Sequence, residues 1–502
     1  MMRQKLLIIN TISSIIFQIT TIICGFVLPR LILQSFGSEV NGLVNSITQF
    51  LSIIAFLEFG VGAVVQSSLY KPLVDNDSFV ISSIIASANN FFKRLAQILL
   101  VYIIGLIIIY PRLVNDSFGW LYTALLIVAI SISSFAQYYF GVVDRLLLTS
   151  AQKGYIQYNA QTITLILNTI ACYVLIKLGC SIHIVKLTTS VIYLLRPIFL
   201  RWYVNNHYKI NRNIKYIGEP IAQKWNGVAQ HVAAVVLDGT ALIILTIFDN
   251  LKSVSIYTVY FLVVSGIKQL FLASTNGIHA LLGELWAKQD FEELNKVFSW
   301  TEWVLHNLTM FLFGCTALLI VPFVLVYTQG ISDANYFQPS FALVLVAAHA
   351  CHCLRLPYNL MILACGHYKQ TQGNYITATL LNLCISIFTV KFFGLIGVAC
   401  GALIALAYQV IWMGRYNSHH LLQYPFAKVA KQLLVDLLCV IFLVFAHSKL
   451  FIICDSYLSW ILWAVKVSAI WMVLLLLVNI VFYPEKLGMI MSRFSEYMKK
   501  YF

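Results

Sequence analysis

Charge is what this sequence has least of. Of its 502 residues, 10% are Asp, Glu, Lys or Arg, 60% are hydrophobic, and the mean hydropathy is +0.84. A soluble domain carries about 25% charged residues, so a soluble globular protein is excluded. An all-α, polytopic membrane protein is what remains. Acids are scarcer than bases, 19 against 33, giving a net charge of +14. The Lys and Arg punctuate apolar runs instead of gathering on one polar face, so they read as topology signals and no nucleic-acid partner is expected. A phosphate-cradling G-x-x-x-x-G-K-[ST] loop is missing, which removes nucleotide hydrolysis as an energy source. Paired cysteine spacing is missing too. The eleven Cys are scattered through apolar runs, with neither a zinc-ligand pattern nor a disulfide framework. They read as small, soft filler. "HACHCLR" puts His349, His352 and Cys353 on one helix face, but no second cluster completes a ligand set, so no metal is expected. No sizeable loop could hold acid/base groups over a substrate, so neither catalytic residues nor an enzyme is expected. A cleavable signal peptide is not expected either. The first apolar run, Leu6 to Leu28, is too long for one and reads as a spanning helix.

Apolar runs of about 20 residues predict fourteen spanning helices near 6–29, 40–69, 88–110, 120–143, 155–176, 182–204, 225–248, 254–282, 297–327, 340–365, 374–392, 394–414, 428–448 and 457–483. With the N-terminus in the cytoplasm, the inner segments hold 22 Lys and Arg, the outer segments 7, and the spans 4. The positive-inside rule then places both termini in the cytoplasm. The longest outer loop, near Thr328 to Pro339, carries one acid, Asp333.

An offset of 214 carries Asn168 onto Asn382, Lys177 onto Lys391 and Arg201 onto Arg415. Helices five and six thus repeat as eleven and twelve. A six-helix repeat keeps its orientation, so the halves are related about the membrane normal. The expected organisation is a six-helix lobe over 1–208, a basic cytoplasmic linker over 209–224, a second six-helix lobe over 225–418, and two additional helices with a cytoplasmic tail over 424–502.

Polar residues at membrane depth are the functional candidates. In "SITQFLSIIAFLEFGVGAVVQSSLY" (46–70), Glu58 sits in an apolar run. Asn41, Asn45, Thr48, Ser52, Ala55, Gly62 and Gln66 form one stripe at 3.6 residues per turn, with Glu58 at its edge. Glu58 is a candidate for ion coupling, the alternative being an acid neutralised by protonation or by a basic neighbour. Asp238, in "VVLDGTALII", is a counter-charge or a second coupling acid. The coupling ion would be H+ or Na+, and no other cofactor is expected. Arg30 follows Pro29, Arg196 precedes Pro197, Arg355 stands two before Pro357, and Lys268 lies in "VVSGIKQLF". Interface anchoring explains Arg30 alone, and snorkelling Arg196 alone. Together the four suggest a cationic chamber between two halves that receives an anion, guanidinium being suited to bidentate phosphate contacts.

"FVLPRLILQSFGSEVNGLVNSITQFLSIIAFLEFGVGAVVQSSLYKPL" (26–73) resembles the opening of bacterial polysaccharide-unit flippases of the multidrug/oligosaccharidyl-lipid/polysaccharide exporter superfamily. "DRLLLTSAQKGYI" (144–156) resembles the family's loop after helix four, and "RLPYNLMILACGHYKQT" (355–371) its counterpart after helix ten. The resemblance runs over essentially the whole chain. It implies a transporter of the bacterial cytoplasmic membrane that moves undecaprenyl-diphosphate-linked oligosaccharide repeat units outward for capsule, exopolysaccharide or other surface glycan. The work would be done by ion-coupled alternating access. Membrane lipids, a polysaccharide polymerase and other assembly proteins are the implied partners. In relatives, basic residues line the cavity, and Arg30, Arg196, Lys268 and Arg355 are the matching candidates here. A lipid II flippase and a drug/cation antiporter of the same superfamily are the alternatives, with a membrane glycosyltransferase or polymerase behind them. A cation exporter favours acids in its cavity, whereas the intramembrane excess here is basic.

Overall fold

A computed structural model describes residues 2–114, 118–212, 214, 228–273, 275–422, 425–449 and 452–489. The side chains at 2–5, 7, 55–60, 63, 228–234, 238, 273, 276–277, 280, 368 and 446–449 lie outside the description. Among the described residues there are helices and no strands. In chain order they are α1 (Met2–Ser52), α2 (Phe56–Asp75), α3 (Ser78–Leu113), α4 (Trp120–Ala136), α5 (Val142–Ser150), α6 (Gly154–Lys177), α7 (Ile182–His207), α8 (Val228–Phe248), α9 (Leu251–Ala273), α10 (Asn276–Ala287), α11 (Phe291–Tyr327), α12 (Pro339–Leu354), α13 (Leu356–Ala364), α14 (Tyr368–Phe393), α15 (Leu395–His420), α16 (Phe426–Lys449) and α17 (Tyr457–Phe482).

All fourteen expected spans are helical, and the protein is an all-α, polytopic membrane protein. Among the described residues, eleven runs are long and apolar enough to cross a bilayer by length and composition. The other three expected spans are the second, which continues out of the first within α1, and α8 and α16. Four expected spans are broken internally. A 3-10 turn at Ile53–Ala55 separates α1 from α2, so the stripe leading to Glu58 is not one continuous helix as the sequence implied. A π-helical segment, Gln137–Gly141, joins α4 to α5. The eighth span divides into α9 and α10, and the tenth divides at Arg355 into α12 and α13.

The turn from the first span to the second is made inside α1 by Gly37, at φ +81°. A side chain there would be strained, and its Cβ would lie 2.8 Å from Asp333 Oδ2. The same carboxylate accepts the Ser38 backbone N–H at 2.6 Å and the Ser38 hydroxyl at 2.7 Å. Asp333 therefore caps the helix that restarts after Gly37 and satisfies donors with no intrahelical partner.

Two compact units comprise residues 1–258 with 330–334, and 259–329 with 335–502. In the first, Leu43, Ile47, Val65, Leu69, Ile85, Leu99, Leu147 and Leu148 are buried in one core. Asn41 of the α1 polar stripe, with Gly42 and Ser46 beside it, forms a seam onto α8 and α9. Ser46 shares a 2.6 Å hydrogen bond with Thr246, and Asn41 donates to Ser255 at 2.8 Å. Gly42 admits the Leu251 carbonyl so closely that a Cβ would collide with it. Small residues and short polar bonds are how helices associate where lipid competes equally for apolar surface. In the second unit, Gly397 and Gly401 of α15 likewise pack against the backbone and small side chains of α14. There α16 and α17 both pack on α11. Ile8, Ile12, Ile15, Ile19 and Ile23 leave one apolar edge of α1 exposed, as a lipid-facing surface requires.

Candidate functional site

The first unit contains a cavity of about 290 Å³ enclosed by α4, the π segment, α5, α6 and α7. Two of its lining residues are arginines, Arg145 and Arg196. Ser134, Gln137, Gln157 and Gln161 supply most of the other polar groups, and among the described residues no acid lines it. Local sequence explains why the helices part here. Pro197 has no N–H to give the Tyr193 carbonyl, which loosens α7. The π segment brings Gly141 against it, where a Cβ would stand 2.8 Å from Pro197 Cβ. Arg196 is held by its stem side. Its Nε donates to Thr164 Oγ1 at 2.5 Å, and its guanidinium lies 3.8 Å over the Tyr193 ring. Its Nη2 makes one long contact, 3.5 Å, to the Gln161 carbonyl. The terminal donors of the fork are thus the least committed part of the group.

Beside the cavity, Asp144 is fully buried and accepts from Arg212 Nη2 at 2.6 Å and Arg201 Nη1 at 3.4 Å. This network takes up a basic residue of the expected linker, Arg212, and leaves the neighbouring Arg145 turned to the cavity lining.

In the second unit, Arg355 stands between α12 and α13, 7% exposed. It donates from Nη1 to Gln409 Oε1 at 2.5 Å, and its Nη2 lies 3.1 Å from His352 Nδ1. Its Nε and the Gln409 Nε2 are buried without a hydrogen-bond partner. A buried donor left unmet costs about 1–3 kcal/mol, more when charged. Lys268 and Arg355 both bear electrostatically on the buried His352. The structure thus pairs the four expected cations unequally. Arg196 gains Arg145 in the first unit, and Arg355 gains Lys268 in the second. Arg30 is half-buried in α1 and does not line the Arg145–Arg196 cavity.

Glu58 falls in the first turn of α2, directly after the 3-10 break, and Asp238 falls in α8. The side chains of both lie outside the described residues. Arg145 is the residue sequence reading missed. It lies beyond the fourth expected span, 120–143, but α5 extends to Ser150 and carries it within the helix. Glu302 and His306 on α11 and Asp436 on α16 were also missed, and all three are buried.

No protein-family model matches the chain, and no curated protein sequence matches it. Solved structures do. The lipid II flippase MurJ in an inward closed conformation superposes with a TM-score of 0.72 at 15% identity, covering 96% of this chain and 100% of that one. An inward-facing multidrug resistance MATE family transporter of the MOP superfamily gives 0.61 at 15% identity, covering 80% and 94%. A MOP superfamily transporter from Pyrococcus furiosus gives 0.56 at 13% identity, covering 82% and 95%. The chain shares the fold of these flippase and transporter structures.

Proposed function

We propose that this protein is a flippase for undecaprenyl-diphosphate-linked oligosaccharide repeat units, moving them across the bacterial cytoplasmic membrane for capsule, exopolysaccharide or other surface glycan assembly. Both termini are cytoplasmic in this reading. Arg30, Arg196, Lys268 and Arg355, joined by Arg145, receive the anionic diphosphate. Glu58 and Asp238 couple the cycle to H+ or Na+. Polysaccharide polymerase and other assembly proteins take the product. The observation that carries the reading is the cavity of Arg145 and Arg196, cationic and, among the described residues, without an acid in its lining. Charged residues cost about 2.5–3.5 kcal/mol each in a spanning helix even on lenient scales, and their retention marks a ligand or ion path. A lining of this sign suits a phosphate and repels a cationic drug. The superposition with a lipid II flippase supports a lipid-linked cargo, and it keeps lipid II itself as the second reading.

Reconstitution tests both. In proteoliposomes, a diphosphate-linked oligosaccharide should cross faster when an ion gradient is imposed, and Glu58→Gln should remove that response while leaving binding. Preference for lipid II over an oligosaccharide carrier supports the second reading. Transport of a cationic drug with neither lipid moved would refute the flippase.

A further inference from the structure

The second unit buries three ionisable side chains that the cation sites do not use. Glu302 and His306 lie one turn apart on α11, 2% and 0% exposed, and Asp436 on α16 is 4% exposed. His306 Nδ1 and Asp436 Oδ2 are 2.6 Å apart. Asp436 Oδ1 accepts from Gln432 at 3.2 Å, so both carboxylate oxygens are engaged. Glu302 accepts from the Tyr358 hydroxyl at 2.8 Å, and the Tyr358 carbonyl accepts from Asn417 at 3.0 Å. The second ring nitrogen, His306 Nε2, is buried without a hydrogen bond of good geometry, and the Leu354 backbone is the polar group that bears on it from α12.

Position makes this more than a core contact. Glu302, His306 and Asp436 stand five, nine and eight residues inside the expected spans 297–327 and 428–448, roughly 8 to 14 Å at 1.5 Å per residue. Ionisable groups inside a spanning segment mark proton or ion paths. Helix α16 is also one of the two helices outside the six-helix repeat. Its buried stripe runs through Val429, Gln432, Val435, Asp436, Cys439 and Leu443. Asp436 is the one carboxylate of that stripe among the described residues. A purely mechanical link could use neutral partners, as α17 does: Trp303 donates to Asn479 at 2.8 Å, and Asn479 donates to Asn307 at 2.5 Å.

We propose that His306 and Asp436 form a proton-binding site, holding one proton between imidazole and carboxylate and releasing it when the site is opened to water. Histidine is the side chain whose ordinary pKa puts its charge change near neutral pH. With the proton bound, imidazolium and carboxylate compensate each other. Without it, the site keeps an uncompensated buried negative charge beside Glu302, and α16 loses its charged bond to α11. One proton therefore shifts the stability of one helix contact, which is the bistable element an alternating-access cycle needs. The titratable groups facing the trio are Tyr358 from α13, Cys351 from α12, Cys439 from α16, and Tyr483 and Lys486 from the segment after α17. Among the described residues, Glu302 does not join the pair in a three-ligand metal arrangement. The use of this proton in transport rests on the ion-coupled reading above, whereas its binding does not.

The test is histidine nitrogen NMR of the purified full-length chain in lipid nanodiscs, with His306→Gln identifying the His306 signals. Between about pH 5 and 8 these should move from imidazolium to neutral ring, and Asp436→Asn should lower the proton affinity of His306 by about tenfold or more, one pKa unit. Ring signals that stay in one state over that range overturn the proposal, as does an Asp436→Asn midpoint equal to wild type. If Asp436→Asn does not fold, an indicator-dye pH jump decides. His306→Gln must take up one proton fewer than wild type, and equal uptake overturns the site. A titrating pair in a protein that ignores an imposed pH gradient defeats proton-coupled transport and leaves the site standing. Gradient-driven flipping with a silent pair does the reverse.

Discussion

Replacing Arg196 with alanine separates a ligand-binding arginine from an anchoring one. In the wild type the stem side of the guanidinium is fixed by Thr164 and by the Tyr193 ring, while the terminal donors face the cavity. One charge-assisted hydrogen bond to a phosphate is worth about 1.5–3 kcal/mol, so Arg196→Ala should weaken head-group binding roughly 10- to 150-fold, at about 1.4 kcal/mol per decade. The structural cost is smaller. The Thr164 bond contributes about 1 kcal/mol and the ring stack about 0.5–1 kcal/mol. Thr164 is not orphaned, because its hydroxyl also donates to the Ala160 carbonyl at 2.8 Å. Against a typical stability of about 5–15 kcal/mol, folded protein should be recovered near wild-type yield. Arg196→Lys keeps the charge but loses both the fork and the stack, so it should restore transport only in part. The assay is translocation of a lipid-linked oligosaccharide in proteoliposomes, with folded protein quantified by gel filtration. Wild-type translocation by Arg196→Ala, and by Arg145→Ala alongside it, would refute phosphate binding at this cavity and leave both arginines as anchors.

Two further outcomes are expected of stability. Asp144→Ala leaves Arg201 and Arg212 around an empty buried spot, so the melting temperature should fall by the equivalent of about 3 kcal/mol, the low end for breaking a buried pair because both arginines keep some solvent. An unchanged melting temperature would show that the pair is not coupled to folding. Beyond the last span, burial pushes the Lys486 ammonium down from 10.5 to about 8, partly opposed by Glu302 and reinforced by Lys428 and Lys431. In that window the unfolded chain binds a proton the folded chain lacks, so stability contributed by this group rises from pH 8 to 10.5. Lys486→Met should flatten the rise, and an identical slope in both proteins contradicts the assignment.

The spans were legible because hydropathy is nearly one-dimensional, and a run long enough to cross lipid has few alternatives to a helix. Of their breaks, the one at Arg355 is marked by a nearby proline, Pro357. Nothing comparable marks the π segment, whose 137–141 stretch "QYYFG" has the composition of ordinary helix. Arg145 was misplaced for a related reason. Counted as a topology signal, a basic residue at the end of a span looks like a loop residue, and only the extension of α5 to Ser150 returns it to the protein interior. The trio of Glu302, His306 and Asp436 did leave a signal. "TEWVLHN" places an acid and a histidine four apart, one helical turn, and "LLVDLLC" sets a lone acid in an apolar run. That is the pattern that singled out Glu58. What sequence could not supply was the pairing, because 130 residues separate His306 from Asp436.

The offset of 214 relates the two cation sites by more than composition. Asn168 and Asn382, the pair that revealed the offset of 214, are both buried, at 1% and 3% exposure. The same offset carries Gly141, the last residue of the π segment, onto Arg355, the residue between α12 and α13. Regular helical bonding is thus interrupted at one equivalent point in each half. Interruptions at membrane depth are costly, since each unsatisfied backbone group costs several kcal/mol, and they are tolerated where they line a cavity or meet protein partners. In the first half the break packs Gly141 on Pro197 and parts the helices around Arg145 and Arg196. In the second the break itself bears the cation, with a buried donor still unmet. The offset does not align the arginines themselves, since Arg145 falls on Asn359 and Arg201 pairs with Asp144 whereas its counterpart Arg415 is exposed. What the halves share is the break, and each half has placed a guanidinium beside it by a different route. A backbone defect kept twice, with a cation supplied twice by different residues, is the arrangement expected if the opening is used to receive an anion, because neither packing nor topology requires both features at one point.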